Sequence, residues 1–362
     1  MKSRHTRLHR ALLCAALAAL GCTAVAQGAI APAADALARP AVKVAAPASA
    51  VMLAATTAGA RVVAVGERGL VILSDDGGAS WRQAGTPVSV TLTAVRFADE
   101  REGVAVGHGG VVLVTSDGGE HWQLSLDGRR AAQIELDAAQ ASGDAGRIAA
   151  ATMLVEEGPD KPFLDLLVGA DGQMRVFGAY GLAFESADGG ATWTSMMDRL
   201  DNPEGLHLNT VRQRGARIVI GGERGLALRS DDAGKTFERV QTPYEGSFFT
   251  AELPADDVIV LAGLRGNVWQ SLDGGRHWTH REAPAAASIT ASTLGADGSV
   301  LLSSQAGLVL QWRAEGGLHP LAGEPLPGLA GIARIGADRL LLLGALGVSA
   351  IELPAAAKEA AQ

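Results

Sequence analysis

The chain has 362 residues, a formal net charge of −8, 48% hydrophobic residues, 46 glycines and 2 cysteines. A chain of this length can bury a large core, and its acidic balance excludes a nucleic-acid backbone as partner. Past the N-terminus no stretch is long and uncharged enough to read as a membrane helix.

The first predicted element is a secretory signal peptide at residues 1–26. Lys2, Arg4, Arg7 and Arg10 precede an apolar run from Ala11 to Leu20, and Ala24-Val25-Ala26 supplies the small-x-small cleavage pattern, so the mature chain is expected to start at Gln27. Removing those four basic residues takes the net charge from −8 to −12. Cys14 and Cys22 both lie in or beside the leader, which leaves the cleaved chain without a disulfide. A rival reading lipidates Cys22, but Ala19 stands where a lipobox wants Leu. The expected location is outside the cytoplasm, which in a Gram-negative host is the periplasm. Residues 27–36 read as a linker.

From residue 37 to 354 one pattern repeats: apolar strand, Gly-x-x-Gly turn, apolar strand, then Ser-x-Asp-x-Gly-x-x-aromatic. Its first copy runs from Val62 through Gly66-Glu67-Arg68-Gly69 to Ser74, Asp76, Gly78 and Trp81. The closing glycine of the turn recurs at Gly69, Gly110, Gly181, Gly225, Gly266, Gly307 and Gly347, with spacings of 41, 71, 44, 41, 41 and 40. A period near forty of short strands and Gly-rich turns predicts an all-β, seven-bladed β-propeller with four strands per blade. The acidic motif, an Asp box, recurs with Asp117, Gly119 and Trp122, with Asp188, Gly190 and Trp193, with Asp232, Gly234 and Phe237, and with Asp273, Gly275 and Trp278. These boxes read as hairpin loops whose hydroxyl and carboxylate oxygens accept from the loop's own amides. Copies spread over five blades do not converge on a calcium or catalytic site. The last two repeats are degenerate, and the seventh stops at Ile351-Glu352-Leu353 without an outer strand. A short strand at Ala41-Val42-Lys43-Val44, paired with Gly347–Glu352, is the expected closure of the ring. Residues 355–362 form a tail.

The long spacing between the second and third copies holds about thirty extra residues at 127–160. Arg129 to Ala141 and Arg147 to Glu157 favour helix, and Ser142-Gly143-Asp144 breaks them, so a helical hairpin between blades two and three is predicted. It emerges on the face that carries the Gly-x-x-Gly turns, beside the longer link Met196 to His207. On that face the turns display Arg68, His108, Tyr180, Arg224, Arg265 and Gln305, with His207 from the link, and this set is the candidate partner-binding surface. Three arginines at one turn position suit an acidic peptide or carboxylate.

The sequence holds no G-x-S-x-G, H-E-x-x-H or phosphate loop. His277 and His280, three apart on a predicted strand, face opposite ways and do not chelate, so no metal or cofactor is assigned. Two rivals to a binding role stand. One is a sialidase-like glycoside hydrolase, which needs a tyrosine nucleophile, an arginine triad and a nearby carboxylate; only Tyr180 and Tyr244 exist, and Glu67 and Glu223 belong to blades across the channel. The other is a ligand-binding receptor propeller, for which an aromatic content of 4% leaves few stacking platforms.

The unit Leu92-Thr93-Ala94-Val95-Arg96-Phe97, Gly103 to Gly107, Val111 to Thr115 and Ser116-Asp117-Gly118-Gly119-Glu120-His121-Trp122 resembles the photosystem II assembly and stability factor family of propellers over residues 37–354. More broadly the boxes look like bacterial neuraminidase repeats, which occur in enzymes and receptors alike. The closer resemblance implies a non-enzymatic factor that binds a protein partner and helps assemble a membrane complex, without itself spanning the membrane. The insertion at 127–160 departs from the plain seven-repeat pattern.

Overall fold

The computed structural model describes residues 35–321 and 325–353. The expected signal peptide with Cys22 and the C-terminal tail lie outside the described residues, as does most of the linker.

The strands fall into seven antiparallel sheets, six of four strands and one of three, each filled in chain order from inside to outside. Blade one is typical, with strands Met52–Ala58, Arg61–Gly66, Val71–Ser74 and Arg82–Gln83. The inner strand of each blade touches that of the next, and Leu329–Ile335 of blade seven touches Met52–Ala58 of blade one, so the ring is closed. The second strands are largely apolar, as in Leu340–Leu343. Strands covered on both faces need that composition in place of an alternating one.

Seven separate apolar cores fill the seven seams. Val63, Leu113 and Trp122 belong to the seam of blades one and two, and Met52, Ile72 and Leu341 to that of blades seven and one. Each box aromatic enters the seam between its own blade and the preceding one: Trp81, Trp122, Trp193, Phe237 and Trp278 all follow this rule. Trp122 and Trp193 are buried, whereas Trp81 and Trp278 are half-buried with an edge on solvent.

Two helices, α1 (Gly128–Ser142) and α2 (Ala145–Glu157), stand between the outer strand of blade two and the inner strand of blade three. Asp127 and Asp144 cap them, accepting from the amides of Arg130 at 2.9 Å and Arg147 at 2.8 Å. Gly143 ends α1 at φ 72°. Among the described residues no helix is long and apolar enough to cross a membrane.

The expected closing strand is corrected. Ala41 to Val44 forms no strand, and blade seven keeps three among the described residues. The N-terminal segment instead follows blade one: Ser89 N donates to Ala36 O at 2.9 Å, Gln83 Nε2 to Val42 O at 3.1 Å, and Leu37 is buried against Gly109. The seam is made by the next residues. Gly347 sits at φ 96° with a missing Cβ that would lie 2.0 Å from Ala48 O, so the Pro47–Ser49 turn takes the place that an inter-blade link holds elsewhere. The segment finds its partners in the side of blade one instead, where Ala41 N also donates to Thr86 O at 3.3 Å, and the outer edge of Gly347–Glu352 stays unpaired among the described residues.

A ring of turn tips as the candidate binding face

Antiparallel strands send the turns between second and third strands, and the links between blades, to one face; the box loops go to the other. Blade one shows how the tip is built. Glu67 N donates to Val51 O at 3.1 Å, Leu70 N to Glu67 O at 3.1 Å, and Gly66 N to Leu70 O at 3.0 Å. This tight closure forces the third tip residue into the left-handed region. Arg68 lies there at φ 56°, Tyr180 at 57°, Arg224 at 52° and Arg265 at 57°. The next residue must be glycine, because a Cβ on Gly225, itself at φ 75°, would stand 1.7 Å from Tyr244 O of the following link.

Left-handed backbone costs a non-glycine residue about 1–3 kcal/mol. Blade two meets the same geometry with Gly109 at φ 71°. Four blades therefore hold bulky or charged side chains where glycine is cheaper.

The three arginine tips are exposed and, among the described residues, make no ion pair or hydrogen bond. Arg61, Arg96, Arg147, Arg212 and Arg217 all have carboxylate partners. The positive charge of Arg224 helps hold the Glu204 carboxyl below its usual range, after the dominant hydrogen bond from Arg239. Tyr244, whose hydroxyl donates to Leu264 O at 3.1 Å, is pushed up by burial against a smaller opposing effect of Arg265. Arg224 and Arg265 stand on adjacent blades, and ring order puts Arg68 across the channel mouth from that pair.

Tyr180 and His207 come together, with ring centroids 4.9 Å apart, and Lys161 Nζ lies 5.2 Å from the tyrosine centroid. His207 is held by Glu223 at the blade-four tip, its amide donating to Oε2 at 3.0 Å and Nδ1 standing 3.4 Å from Oε1. His108 and Gln305 are exposed, one position earlier in their tips than the arginines. The Gln305 amide donates to Ser288 O at 2.9 Å.

The box loops opposite are consumed by their own geometry. Ser74 Oγ donates to Asp76 Oδ1 at 2.7 Å, Gly78 N to Ser74 Oγ at 2.7 Å, and the Ala79 and Ser80 amides to Asp76 Oδ1 at 3.0 and 2.9 Å. The Ser80 hydroxyl and these bonds hold Asp76 well below the usual carboxylate range. Thr115 replaces serine in blade two, and Trp122 Nε1 donates to Gly119 O at 2.9 Å. In the worn sixth repeat Trp312 Nε1 turns to Gln270 Oε1 at 2.6 Å. His277 lies in a loop and not on the expected strand, with Nδ1 2.5 Å from Asp273 Oδ2, while His280 stacks on Trp269. Among the described residues no three His, Cys, Asp or Glu side chains are grouped to hold a metal ion.

The channel holds a cluster that motif reading missed. Asp165 on the inner strand of blade three accepts from Arg96 at 3.0 Å, Arg212 at 2.7 Å, and the amides of Leu166 and Val211 at 2.9 and 3.0 Å. Arg212 continues to Glu252 at 3.4 Å, and Ser292 donates to Glu252 at 2.8 Å. Burial pushes the Asp165 carboxyl up, and the two guanidiniums outweigh it and hold it below its usual range. The chain of contacts crosses blades two to six beside a cavity of about 150 Å³ lined by all seven inner strands. Its charges answer one another, so the channel is a brace and the open charge lies at the tips.

Residues 159–317 match the family model of the photosynthesis system II assembly factor YCF48. That match spans 159 of the 362 residues, within a seven-bladed β-propeller. Solved structures repeat the propeller architecture at low identity. YCF48 bound to D1 peptide superposes with a TM-score of 0.63 at 14% identity, over 87% of this chain and 99% of that one. YCF48 from Cyanidioschyzon merolae gives 0.60 at 16%, over 85% and 97%. The extracellular domain of the one-component system BT4673 from B. thetaiotaomicron gives 0.60 at 14%, over 83% of this chain and 38% of that one. No curated protein matches the sequence.

Proposed function

We propose that this propeller is a non-enzymatic, periplasmic binding factor that holds an acidic segment of a partner protein on its turn-tip face during assembly of a membrane complex. The carrying observation is the set of exposed arginines at Arg68, Arg224 and Arg265, without an ion pair among the described residues and held in left-handed backbone where glycine is cheaper. Strain retained at a surface point to function, since folding alone does not select it. A similar propeller is known bound to D1 peptide, which supports a peptide as the ligand class. Guanidinium groups without internal partners suit carboxylates.

The glycosidase reading finds little support at the tyrosines. Tyr180 has His207 and Lys161 as ring neighbours, and the Tyr244 hydroxyl is spent on Leu264 O. A fluorogenic sialoside is expected to stay intact with the mature protein; turnover lost on Tyr180→Phe would restore that reading.

The decisive experiment is capture of partners from membranes with the mature chain. Replacing Arg68, Arg224 and Arg265 together with glutamate should abolish recovery while the circular dichroism spectrum is kept. Undiminished recovery by that folded variant would place binding elsewhere on the propeller.

A further inference from the structure

Helix α2 lies against α1 and lends Leu154 to the seam of blades two and three, but it leaves much of its apolar surface open. Its sequence AGRIAAATMLVEE is mostly aliphatic, yet Ala151 is its one buried residue. Met153 is 58% exposed and Val155 39%. Residues Arg147, Ala150, Ala151, Met153, Leu154 and Glu157 recur at three- and four-residue spacing, so they form one face of the helix. That face walls a groove of about 850 Å³, and Tyr180, Leu182, Met197 and the 203–205 link form the other wall.

The groove rim keeps a negative excess. Asp144, Glu157, Asp198 and Glu204 are exposed along it, against Arg147, Lys161 and Arg239, the last paired with Glu204 at 2.7 Å; Glu135 is buried beneath. The other two cations are also bonded: Arg147 lies 2.7 Å from Glu135 and 3.4 Å from Asp198, and Lys161 lies 2.7 Å from Glu157 and 2.5 Å from Asp160. An apolar floor of this size accepts several side chains, and an exposed methionine adapts its shape to them.

We infer that this groove docks an amphipathic partner segment with an apolar face flanked by lysine or arginine, in the helix-in-groove manner. Its charge preference is opposite to that of the arginine tips and it uses none of the three arginines, sharing only Tyr180 with the tip face, so it stands or falls independently of the arginine reading.

The test uses the mature chain and two fluorescein-labelled synthetic helical peptides of about 14 residues, one of leucine and lysine and one of leucine and glutamate, in about 0.15 M salt so that long-range attraction is screened. Fluorescence anisotropy should show saturable binding of the leucine-lysine peptide at least tenfold tighter than its acidic counterpart. Met153→Lys with Asp198→Lys should weaken it at least tenfold. Asp198→Asn with Glu204→Gln, a milder pair should the first variant fold poorly, should weaken it severalfold. Arg68→Gly, Arg224→Gly and Arg265→Gly together should leave it unchanged, and hydrogen-exchange protection should fall on residues 146–157 and 196–205. Equal affinity for both peptides, wild-type binding by either folded groove variant, or protection elsewhere would overturn the inference.

Discussion

A charged side chain in this propeller is either answered or displayed, and the two groups behave differently when changed. Asp165 is answered: two guanidiniums and two amides surround a carboxylate that is 8% exposed. Asp165→Asn leaves Arg96 without its counter-charge and Arg212 with Glu252 alone, at 3.4 Å, and breaking one partner of a buried pair costs about 3–5 kcal/mol. Urea unfolding should show a loss of that order, while Asp76→Asn on the exposed loop should lose less. The tip arginines are displayed. Replacing Arg68, Arg224 and Arg265 with glycine relieves left-handed backbone, so the melting temperature should not fall although partner capture does. A drop of several degrees would mean that the arginines serve the fold.

Among the elements, the tip and the box loop were legible in the sequence and the closing segment was not. Each tip needs glycine where a Cβ would meet the next link, as at Gly225, so the need repeats every forty residues and shows as a period. The box likewise repeats because its hydroxyl, carboxylate and glycine satisfy one another locally. Ala41 to Val44 has the alternation of a strand, but local pattern does not say which neighbour a segment meets, and its partners lie along blade one, away from the edge of Gly347–Glu352. The channel cluster escaped for a related reason: Arg96, Asp165, Arg212 and Glu252 stand at least forty residues apart and meet only through ring geometry. The box aromatics give a test at this scale. Trp122 is buried in its seam, edge-on to Phe97 at 6.1 Å, so Trp122→Ala should cost about 3–5 kcal/mol. Trp81→Ala, at a half-buried site, should cost less in the same measurement.

For the molecule as a whole, the box carboxylates set a common acid limit. Asp117 is held at about 2, where burial pushes up and is outweighed by the amide and ring of His121; Asp188 is held at about 2 by the Thr192 hydroxyl and amide. Both lie below the ordinary 3.8, so the unfolded chain takes up protons first as pH falls. The stabilisation is complete above about pH 5 and is lost progressively down to about pH 2. Melting temperature should therefore be level from neutral pH to about 5 and fall steeply below it; a flat profile to pH 2 would show that the boxes do not couple to global unfolding. The N-terminal reading has its own check, since mature protein recovered from a Gram-negative periplasm should begin at Gln27.

Blade seven brings out a further property of the ring. Six seams are spanned by the continuous polypeptide, whereas among the described residues the seam between blades seven and one is held by side-chain packing, by the Ala48 turn on Gly347 and by Arg339 donating to Gly77 O at 3.0 Å. No strand is exchanged across it among the described residues. The molecule is thus a split washer whose cut is closed by contact alone. Moving the cut to another seam, by circular permutation, would add a covalent tie where there is none and remove one where packing is already dense.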